Sequence, residues 1–294
     1  MRKFVILTDS SSDLDRKTRE EFDIDYIHMH VILDGTDYPA DLDWGTFSVK
    51  EFYGLLREGK RFTTAQINAA EYTEAFEKYL KEGYDILSIT LSGGLSASVN
   101  ESRIARDELL KKYPEAKIVC IDSLNACSGV GMMCIRASEM RSEGKSIEEI
   151  AEWLEANKLR MNQECSVDSL VYFKRAGRVS ATTAFFGGLL NIKPIVISSK
   201  EGHNLAVEKV KGRANAIVRL AERIAETYVS EPFARLFVSH ADCEEDMKKL
   251  KEEILKRIPD KDIPVHEGFI GPIIGATAGP GTIAAFVWGK EVTV

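Results

Sequence analysis

Apolar and polar residues along the first half of the chain follow patterns that predict strands separated by amphipathic helices. Four short apolar runs predict strands: FVILT (4–8), YIHMHVIL (26–33), DILSITL (85–91) and KIVCID (117–122). Helical segments lie between them, the longest leading up to Tyr113. Strands that alternate with helices in this way indicate an α/β fold with a parallel, doubly wound sheet and helices on both faces.

Helix starts are marked by a capping side chain that is followed three residues later by an acid. This spacing occurs at Ser12 with Asp15, Ser48 with Glu51, Asn68 with Glu71, and Ser146 with Glu149. The second of these starts precedes FYGLLREG and the last precedes IAEWLEANKLRM. Gly83 supplies the expected stop for the third helix, because glycine readily adopts the left-handed conformation that ends helices.

The pattern changes after Met161. NIKPIVISSKEGHNLAVEKVKG predicts two antiparallel strands joined at Glu201-Gly202, and later strands again alternate with helices. We expect a domain boundary near residue 160. An N-terminal α/β domain would then span 1–160, and a C-terminal α+β domain with antiparallel strands would span 161–294. A ligand site is expected at their junction.

Composition and charge narrow the class of protein. The chain has 294 residues, about twice the length of a typical domain, and 44% of them are apolar. A net charge of −7 argues against nucleic-acid binding, which needs clustered Lys and Arg. The sequence has no apolar run long enough for a transmembrane segment, and the five cysteines form no C-x-x-C pair. We therefore expect a cytoplasmic protein with reduced cysteines.

Small hydroxyl residues cluster where predicted strands end, which is where open α/β sheets bind ligands. These segments are Thr8-Asp9-Ser10-Ser11, Ser92-Gly93-Gly94-Leu95-Ser96 and Asp122-Ser123, and Thr63-Thr64-Ala65-Gln66 precedes a helix. Such residues beside a helix N-terminus can cradle a carboxylate or phosphate, but they also serve as ordinary helix caps. Both interpretations stay open on the pattern alone.

The sequence gives little support for a catalytic function. The sequence contains no G-x-S-x-G elbow, no phosphate loop and no H-E-x-x-H. Three sets of residues could in principle bind a metal or catalyse a reaction: His28 with His30 as metal ligands, His240 with Asp242 as base and orienter, and Asp9, Asp13 and Asp122 as Mg²⁺ ligands. A structural role fits each set better. A more distinctive feature is the segment YFKRAGR, in which a short helix is expected to end at Gly177. Arg178 then either clamps backbone carbonyls or provides the cation of an anion site.

Six segments in order resemble the DegV family of bacterial fatty-acid-binding proteins. They are TDSSSDL, FTTAQ, LSGGLSAS, DSLNACSGVG, YFKRAGRVSATTAFFGGLLNIKPI and GPIIGATAGPG, and they span nearly the whole chain. The resemblance implies a two-domain protein that buries one long-chain fatty acid, such as palmitate, stearate or oleate, in a tunnel between its domains. It also implies that the carboxylate is presented to an ATP-dependent fatty acid kinase subunit, which makes acyl phosphate for phospholipid synthesis.

On this resemblance the chain is a non-catalytic lipid-binding subunit that needs no cofactor or metal. The carboxylate-binding residues are expected to be Thr63, Thr64, Ser92, Gly93, Gly94, Arg178 and Thr277. The acyl tunnel is expected to be lined by Phe185, Phe186, Leu189, Leu190, Ile192, Ile270, Ile273 and Ile274. Two of these carboxylate-binding positions depart from the family pattern, since Gly93 replaces a serine and Thr277 replaces a histidine. The alternative is a hydrolase or binding protein for a small anionic or acyl substrate on the same fold.

Overall fold

The computed structural model describes residues 2–180 and 191–294. Its strands, in chain order, are β1 (Phe4–Asp9), β2 (Ile24–Ile27), β3 (His30–Leu33), β4 (Thr36–Pro39), β5 (Phe62–Ala65), β6 (Asp85–Thr90), β7 (Ile118–Asp122), β8 (Met161–Ser166), β9 (Ile192–Ser198), β10 (Asn204–Lys211), β11 (Leu236–His240), β12 (Val265–Phe269) and β13 (Ile283–Trp288). Its α-helices are α1 (Arg16–Phe22), α2 (Val49–Arg57), α3 (Ala69–Lys81), α4 (Ser98–Lys112), α5 (Ser128–Ser142), α6 (Ile147–Asn157), α7 (Val171–Ala176), α8 (Arg213–Thr227), α9 (Glu244–Arg257) and α10 (Pro272–Ala278).

The first half of the chain builds a four-stranded parallel sheet in the order β2-β1-β6-β7. Strand β6 is buried along its whole length, as expected for a central strand of a parallel sheet that is covered on both faces. The α/β fold with a parallel sheet is thereby confirmed. Because β1 and β6 are neighbours, the segments that follow them, around Ser10 and Ser92, emerge at the same edge of the sheet.

Three of the predicted helix starts are confirmed. Ser146 and Asn68 each form a complete capping box with the acid three residues later, which satisfies two backbone N–H groups at each helix end. The Ser48 side chain accepts a hydrogen bond from the Glu51 N–H at the start of α2. Gly83 has a φ of +85°, so the predicted glycine stop after α3 is also confirmed.

Two predictions about the N-terminal region are wrong. Asp15, not Ser12, caps α1, because its carboxylate accepts the Thr18 N–H at 2.7 Å. The run 26–33 is not one strand, since β2 joins the parallel sheet while β3 lies in a separate antiparallel sheet of order β4-β3-β5. The break falls at Met29, whose backbone bonds the Ser10 hydroxyl and the Ala40 N–H instead of a neighbouring strand.

From Met161 onward the strands form a six-stranded sheet in the order β10-β9-β8-β13-β11-β12. The predicted hairpin of β9 and β10 is confirmed as an antiparallel pair, and β8 and β13 are also antiparallel neighbours. Only the pair β11–β12 is parallel among the described strands of this sheet. The change of sheet at Met161 agrees in position with the proposed boundary, although the division into domains stays a prediction.

The two faces of the six-stranded sheet bury different apolar cores. Along β13, Ala284 and Phe286 point into the core that also covers the parallel sheet, whereas Ile283 and Ala285 point into the core beneath α8 and α9. This alternation is the ordinary period of two in a strand. The first face therefore lies opposite the N-terminal half of the chain, and any ligand between the halves must contact it.

Candidate functional site

A cavity of about 310 Å³ lies against the first face of the six-stranded sheet. Its floor is formed by neighbouring residues of two paired strands, with Cys165 opposite Ala284 and Gln163 opposite Phe286. The other walls come from both halves of the chain: Met29, Leu91, Leu95, Ala126, Cys127, Phe173, Ile270, Ile273, Ile274 and Ala278. The volume is at the lower end for small-molecule sites, and the walls are mainly apolar.

Helix α10 forms one side of this cavity and packs closely against α2. Pro272 begins the helix, where the missing N–H costs nothing. A side chain at Gly275 would place its Cβ 2.6 Å from the Tyr53 hydroxyl oxygen, so glycine is required for this approach. The same hydroxyl donates a hydrogen bond to the Ile270 carbonyl at 2.5 Å and fixes the segment that leads into the helix.

The structure brings together three of the predicted head-group residues. Thr64 on β5, Arg178 after α7 and Thr277 on α10 all line the cavity, although they come from distant parts of the sequence. The Thr277 hydroxyl donates a hydrogen bond to the Ile273 carbonyl at 3.2 Å within its own helix. Its oxygen can still accept a hydrogen bond, but it cannot supply the positive charge of a histidine.

The predicted turn at residues 92–94 does not line the cavity within the described residues. The Ser92 hydroxyl donates to the Gly202 carbonyl at 2.8 Å, and the Gly94 N–H donates to the Ser92 hydroxyl oxygen at 3.1 Å. The Gly93 N–H donates to the Asp122 carboxylate at 3.0 Å. The turn therefore uses these polar groups to hold the hairpin of β9 and β10 against the parallel sheet.

Arg178 acts as a clamp on backbone carbonyls, one of the two roles that the sequence left open. Its guanidinium donates to the Leu95 carbonyl at 2.7 Å and to the Ala176 carbonyl at 2.9 Å. Gly177, with a φ of +66°, ends α7 as predicted and directs the chain toward this position. The arginine remains exposed and lines the cavity, so the clamp holds its charge at the mouth of the site.

A second cavity, of about 320 Å³, adjoins the first and shares Thr64, Arg178 and Thr277 with it. We call this second cavity the basic vestibule, because its lining also includes Lys60, Arg61 and Arg175. The Lys60 ammonium contacts the Asp34 carboxylate at 2.8 Å, and the Arg175 guanidinium lies 5.9 Å from the centre of the Tyr172 ring. Thr63, also predicted for the head-group site, lines the vestibule and not the first cavity.

The predicted tunnel residues divide into three groups. Ile270, Ile273 and Ile274 line the first cavity. Ile192, at the start of β9, is half-buried and does not belong to its described lining. Phe185, Phe186, Leu189 and Leu190 lie outside the described residues.

Two of the acids considered as Mg²⁺ ligands, Asp9 and Asp122, accept hydrogen bonds from backbone N–H groups. Asp9 accepts hydrogen bonds from the Ser11 N–H at 2.8 Å and from the Leu91 N–H at 2.9 Å, which ties the ends of β1 and β6 together. Asp122 accepts the Leu124 N–H at 3.0 Å as well as the Gly93 N–H. Within residues 2–180 and 191–294, no group of three or more His, Cys, Asp or Glu side chains could hold a metal ion.

Asp13 has an unusual environment behind the cavity wall. Both of its carboxyl oxygens are buried, and neither has a hydrogen-bond partner within standard geometry. Burial raises the pKa of Asp13 to about 7, while the nearby Cys127 thiol and Gly271 N–H oppose this shift only in part. Because Cys127 lines the cavity, the acid lies directly behind the wall.

The histidines also have structural partners. His30 contacts Asp37 at 3.1 Å and Glu71 at 2.8 Å, and the His28 ring packs against Tyr26. The His240 Nδ1 accepts the Cys243 N–H at 3.1 Å, and burial lowers the pKa of this imidazole. Asp242, proposed as its orienter, instead pairs with Arg57.

Among the described residues, none of the helices combines the length and the apolar character that crossing a membrane requires.

Comparisons with known proteins agree on one family. The profile of the DegV family, described as uncharacterised proteins, matches residues 3–290. A DegV domain-containing protein of Clostridium perfringens is 41% identical over 291 residues, which is 98% of each chain.

Two solved structures share the fold over nearly their whole length. A DegV lipid-binding protein from Thermotoga maritima has a TM-score of 0.86 and 26% identity, covering 99% of this chain and 100% of the other. A DegV family protein from Thermus thermophilus, described by its fatty acid binding, has a TM-score of 0.85 and 27% identity, covering 98% and 100%. The chain described here therefore belongs to the DegV family.

Proposed function

We propose that this protein binds one long-chain fatty acid, with the acyl chain in the apolar cavity and the carboxylate facing the basic vestibule. The observation that carries the proposal is the direct contact between these two unlike spaces, which share Thr64, Arg178 and Thr277. A fatty acid has the same two-part character. The fatty acid binding described for the Thermus thermophilus relative supports this assignment.

Acyl-chain burial would supply most of the affinity. Each buried CH₂ contributes about 0.8 kcal/mol, so a sixteen-carbon chain gains on the order of 10 kcal/mol before ordering costs. Each hydrogen bond to the carboxylate adds roughly 1 to 3 kcal/mol. The apolar cavity would therefore determine how tightly the ligand binds, and the polar residues would determine which end faces the vestibule.

The carboxylate would be held by Thr64 and Thr277, with the Arg178 charge beside them. Thr64 is an exposed residue of β5 whose hydroxyl can donate, while the Thr277 hydroxyl already donates within its own helix. The cations of the vestibule add a favourable potential for an anion at the mouth of the cavity. The turn at residues 92–94 would support this site by holding the hairpin in place and would not bind the ligand directly.

The protein would not act as an enzyme by itself. It would present the carboxylate through the vestibule to an ATP-dependent fatty acid kinase, which forms the acyl phosphate used in phospholipid synthesis. The residues that could suggest a hydrolase are Ser92, Ser96, His240 and Asp242, and each of them makes a structural contact. Only Ser96 of these four lines the cavity, and its hydroxyl bonds the Ser98 hydroxyl at 2.9 Å.

Organic extraction of the purified protein followed by mass spectrometry tests lipid binding. We expect about one saturated or monounsaturated long-chain acid per chain, or uptake of added palmitate or oleate by delipidated protein. A well-folded preparation that carries no lipid and takes up neither acid would refute the proposal. Incubation with a fatty acid kinase and ATP tests presentation separately, with acyl phosphate as the expected product.

A further inference from the structure

Gln163 places a polar side chain on the floor of the apolar cavity. It lies on β8, where Gln163 and Cys165 face the cavity while Glu164, between them, points to the opposite side and pairs with Arg223 of α8. Its cross-strand partner is Phe286, which also lines the cavity. The side chain is therefore directed toward the ligand space, although the residue is only 7% exposed.

Hydrogen bonds fix the orientation of the Gln163 amide. The Asn204 Nδ2 donates to the Arg178 carbonyl at 3.0 Å, so the Asn204 Oδ1 must act as an acceptor toward Gln163. The Gln163 Nε2 donates to this oxygen at 3.3 Å. Rotating the Gln163 amide by half a turn would bring two acceptors together, so Oε1 has to point away from Asn204.

The Gln163 Oε1 has no hydrogen-bond partner among the described residues. A buried acceptor without a donor is unfavourable, because it has lost its hydrogen bond to water and gained none in return. Plain saturated and unsaturated acyl chains carry no donor, and an ionised carboxylate is only an acceptor. A hydroxyl group on the acyl chain would supply the missing hydrogen bond.

We propose that Gln163 is a specificity residue that accepts a hydrogen bond from a hydroxyl on the bound chain, so that the cavity favours hydroxylated long-chain fatty acids over unsubstituted ones. This inference rests on the proposed function, since it assumes that the acyl chain occupies the cavity. It adds a chemical class of ligand that the apolar walls alone do not suggest. A site that provides a hydrogen bond for a hydroxyl discriminates against the analogue that lacks one.

Gln66 offers a matched control, because it is a second glutamine in the lining of the same cavity. Its Oε1 accepts the Ala97 N–H at 3.2 Å, and its Nε2 donates to Glu101 at 3.5 Å. Both ends of this amide are therefore already paired. Replacing either glutamine by methionine removes the amide and keeps a similar side-chain length.

The test is a set of dissociation constants for stearate and for hydroxystearates with the hydroxyl near the carboxyl end, at mid-chain or near the methyl end. We expect one positional isomer to bind the wild-type protein about tenfold more tightly than stearate does. The same ratio should persist in Gln66→Met and fall to about one in Gln163→Met. Equal binding of stearate and all isomers by the wild type would overturn the inference, as would an unchanged ratio in Gln163→Met.

Failure of the two proposals can be told apart. If stearate and every hydroxystearate fail to bind, the proposed function itself is wrong. If stearate binds and no isomer is preferred, only the role of Gln163 is wrong. Should Gln163→Met not fold, the structure of the wild-type complex with the preferred isomer decides: the hydroxyl lies within hydrogen-bond distance of Oε1, or the inference is refuted.

Discussion

The apolar cavity and the basic vestibule are nearly equal in volume, about 310 and 320 Å³, and share three residues, yet their chemistry is opposite. The cavity is lined mainly by aliphatic and aromatic side chains. The vestibule collects Lys60, Arg61, Arg175 and Arg178 in a chain whose net charge is −7. Total charge therefore says little about the local potential that a ligand meets.

The difference suggests a division of labour between affinity and orientation. Burial of the acyl chain contributes free energy in proportion to the apolar area removed from water. Exposed cations contribute much less, because water and salt screen them. Changes to the cavity should therefore alter lipid affinity strongly, and changes to the vestibule should alter it weakly and only for charged ligands.

Filling the cavity should have the greatest consequence. Ala284 faces it from β13 and is only 3% exposed, so Ala284→Phe would occupy space that the acyl chain needs. We expect palmitate affinity to fall by roughly 100-fold or more, because several methylenes lose about 0.8 kcal/mol each. Fluorescent fatty-acid displacement measures the loss, and a thermal unfolding scan checks that the variant is folded.

Adding the same bulk to the vestibule gives the matched control. Ala176, at the end of α7, belongs to the described lining of the vestibule and not to that of the apolar cavity. Ala176→Phe should change palmitate affinity by about threefold or less, since no buried methylene is displaced. Equal losses in both variants would show that the acyl chain does not distinguish the two spaces.

The buried acid behind the cavity wall should make the stability of the protein depend on pH. Burial raises the pKa of Asp13 in the folded protein to about 7, well above the ordinary value of an aspartate. Its contribution to stability is therefore complete below about pH 4 and is lost as the pH rises through 7. Asp13→Asn should remove this loss and stabilise the protein by up to a few kcal/mol at pH 8.

Urea unfolding of both proteins at pH 5 and pH 8 checks this expectation. Other buried acids, such as Glu164, titrate in both proteins, so the difference between the variants isolates Asp13. We expect the stability advantage of Asp13→Asn to be larger at pH 8 than at pH 5. An advantage that is the same at both values would contradict the assigned protonation.

Reversing one charge in the vestibule should have a smaller effect that depends on the ligand. Arg61 is exposed and lines the vestibule. Arg61→Glu should weaken palmitate binding by about threefold at low salt and leave the methyl ester unaffected. Lys256→Glu, on the remote helix α9, is the control for net charge. Parallel weakening of acid and ester would rule out an electrostatic role for Arg61.

The smallest change in affinity is expected at Thr277. Thr277→His restores the residue type that the family resemblance leads us to expect at this position, and the acyl cavity is otherwise unchanged. Palmitate affinity should stay within about twofold, because chain burial dominates. Phosphorylation of the bound lipid by a fatty acid kinase should change, and identical rates for both proteins would show that the side chain has no part in presentation.

Local signals in the sequence predicted much of the fold, because caps and alternation act within a few residues. The capping box at Ser146 and the hairpin at Gly202 are examples. The break between β2 and β3 was missed because it depends on distant contacts of Met29, and the strand pattern runs through it without interruption.

The site was only partly predictable for the same reason. Ile273 and Thr277 could be nominated from the family resemblance. Lys60 and Arg175 lie more than a hundred positions apart, and only tertiary packing brings them to one vestibule. Gln163 occupies a buried strand among other polar residues, where the sequence does not reveal which oxygen lacks a partner.

Native mass spectrometry of delipidated protein with palmitate tests the central claim most directly. The wild-type protein should gain the mass of a single palmitate, and Ala284→Phe, folded but with its cavity filled, should gain none under the same conditions. A wild-type protein that stays unloaded, or an Ala284→Phe variant that loads to the same extent, would contradict binding of the acyl chain in the apolar cavity.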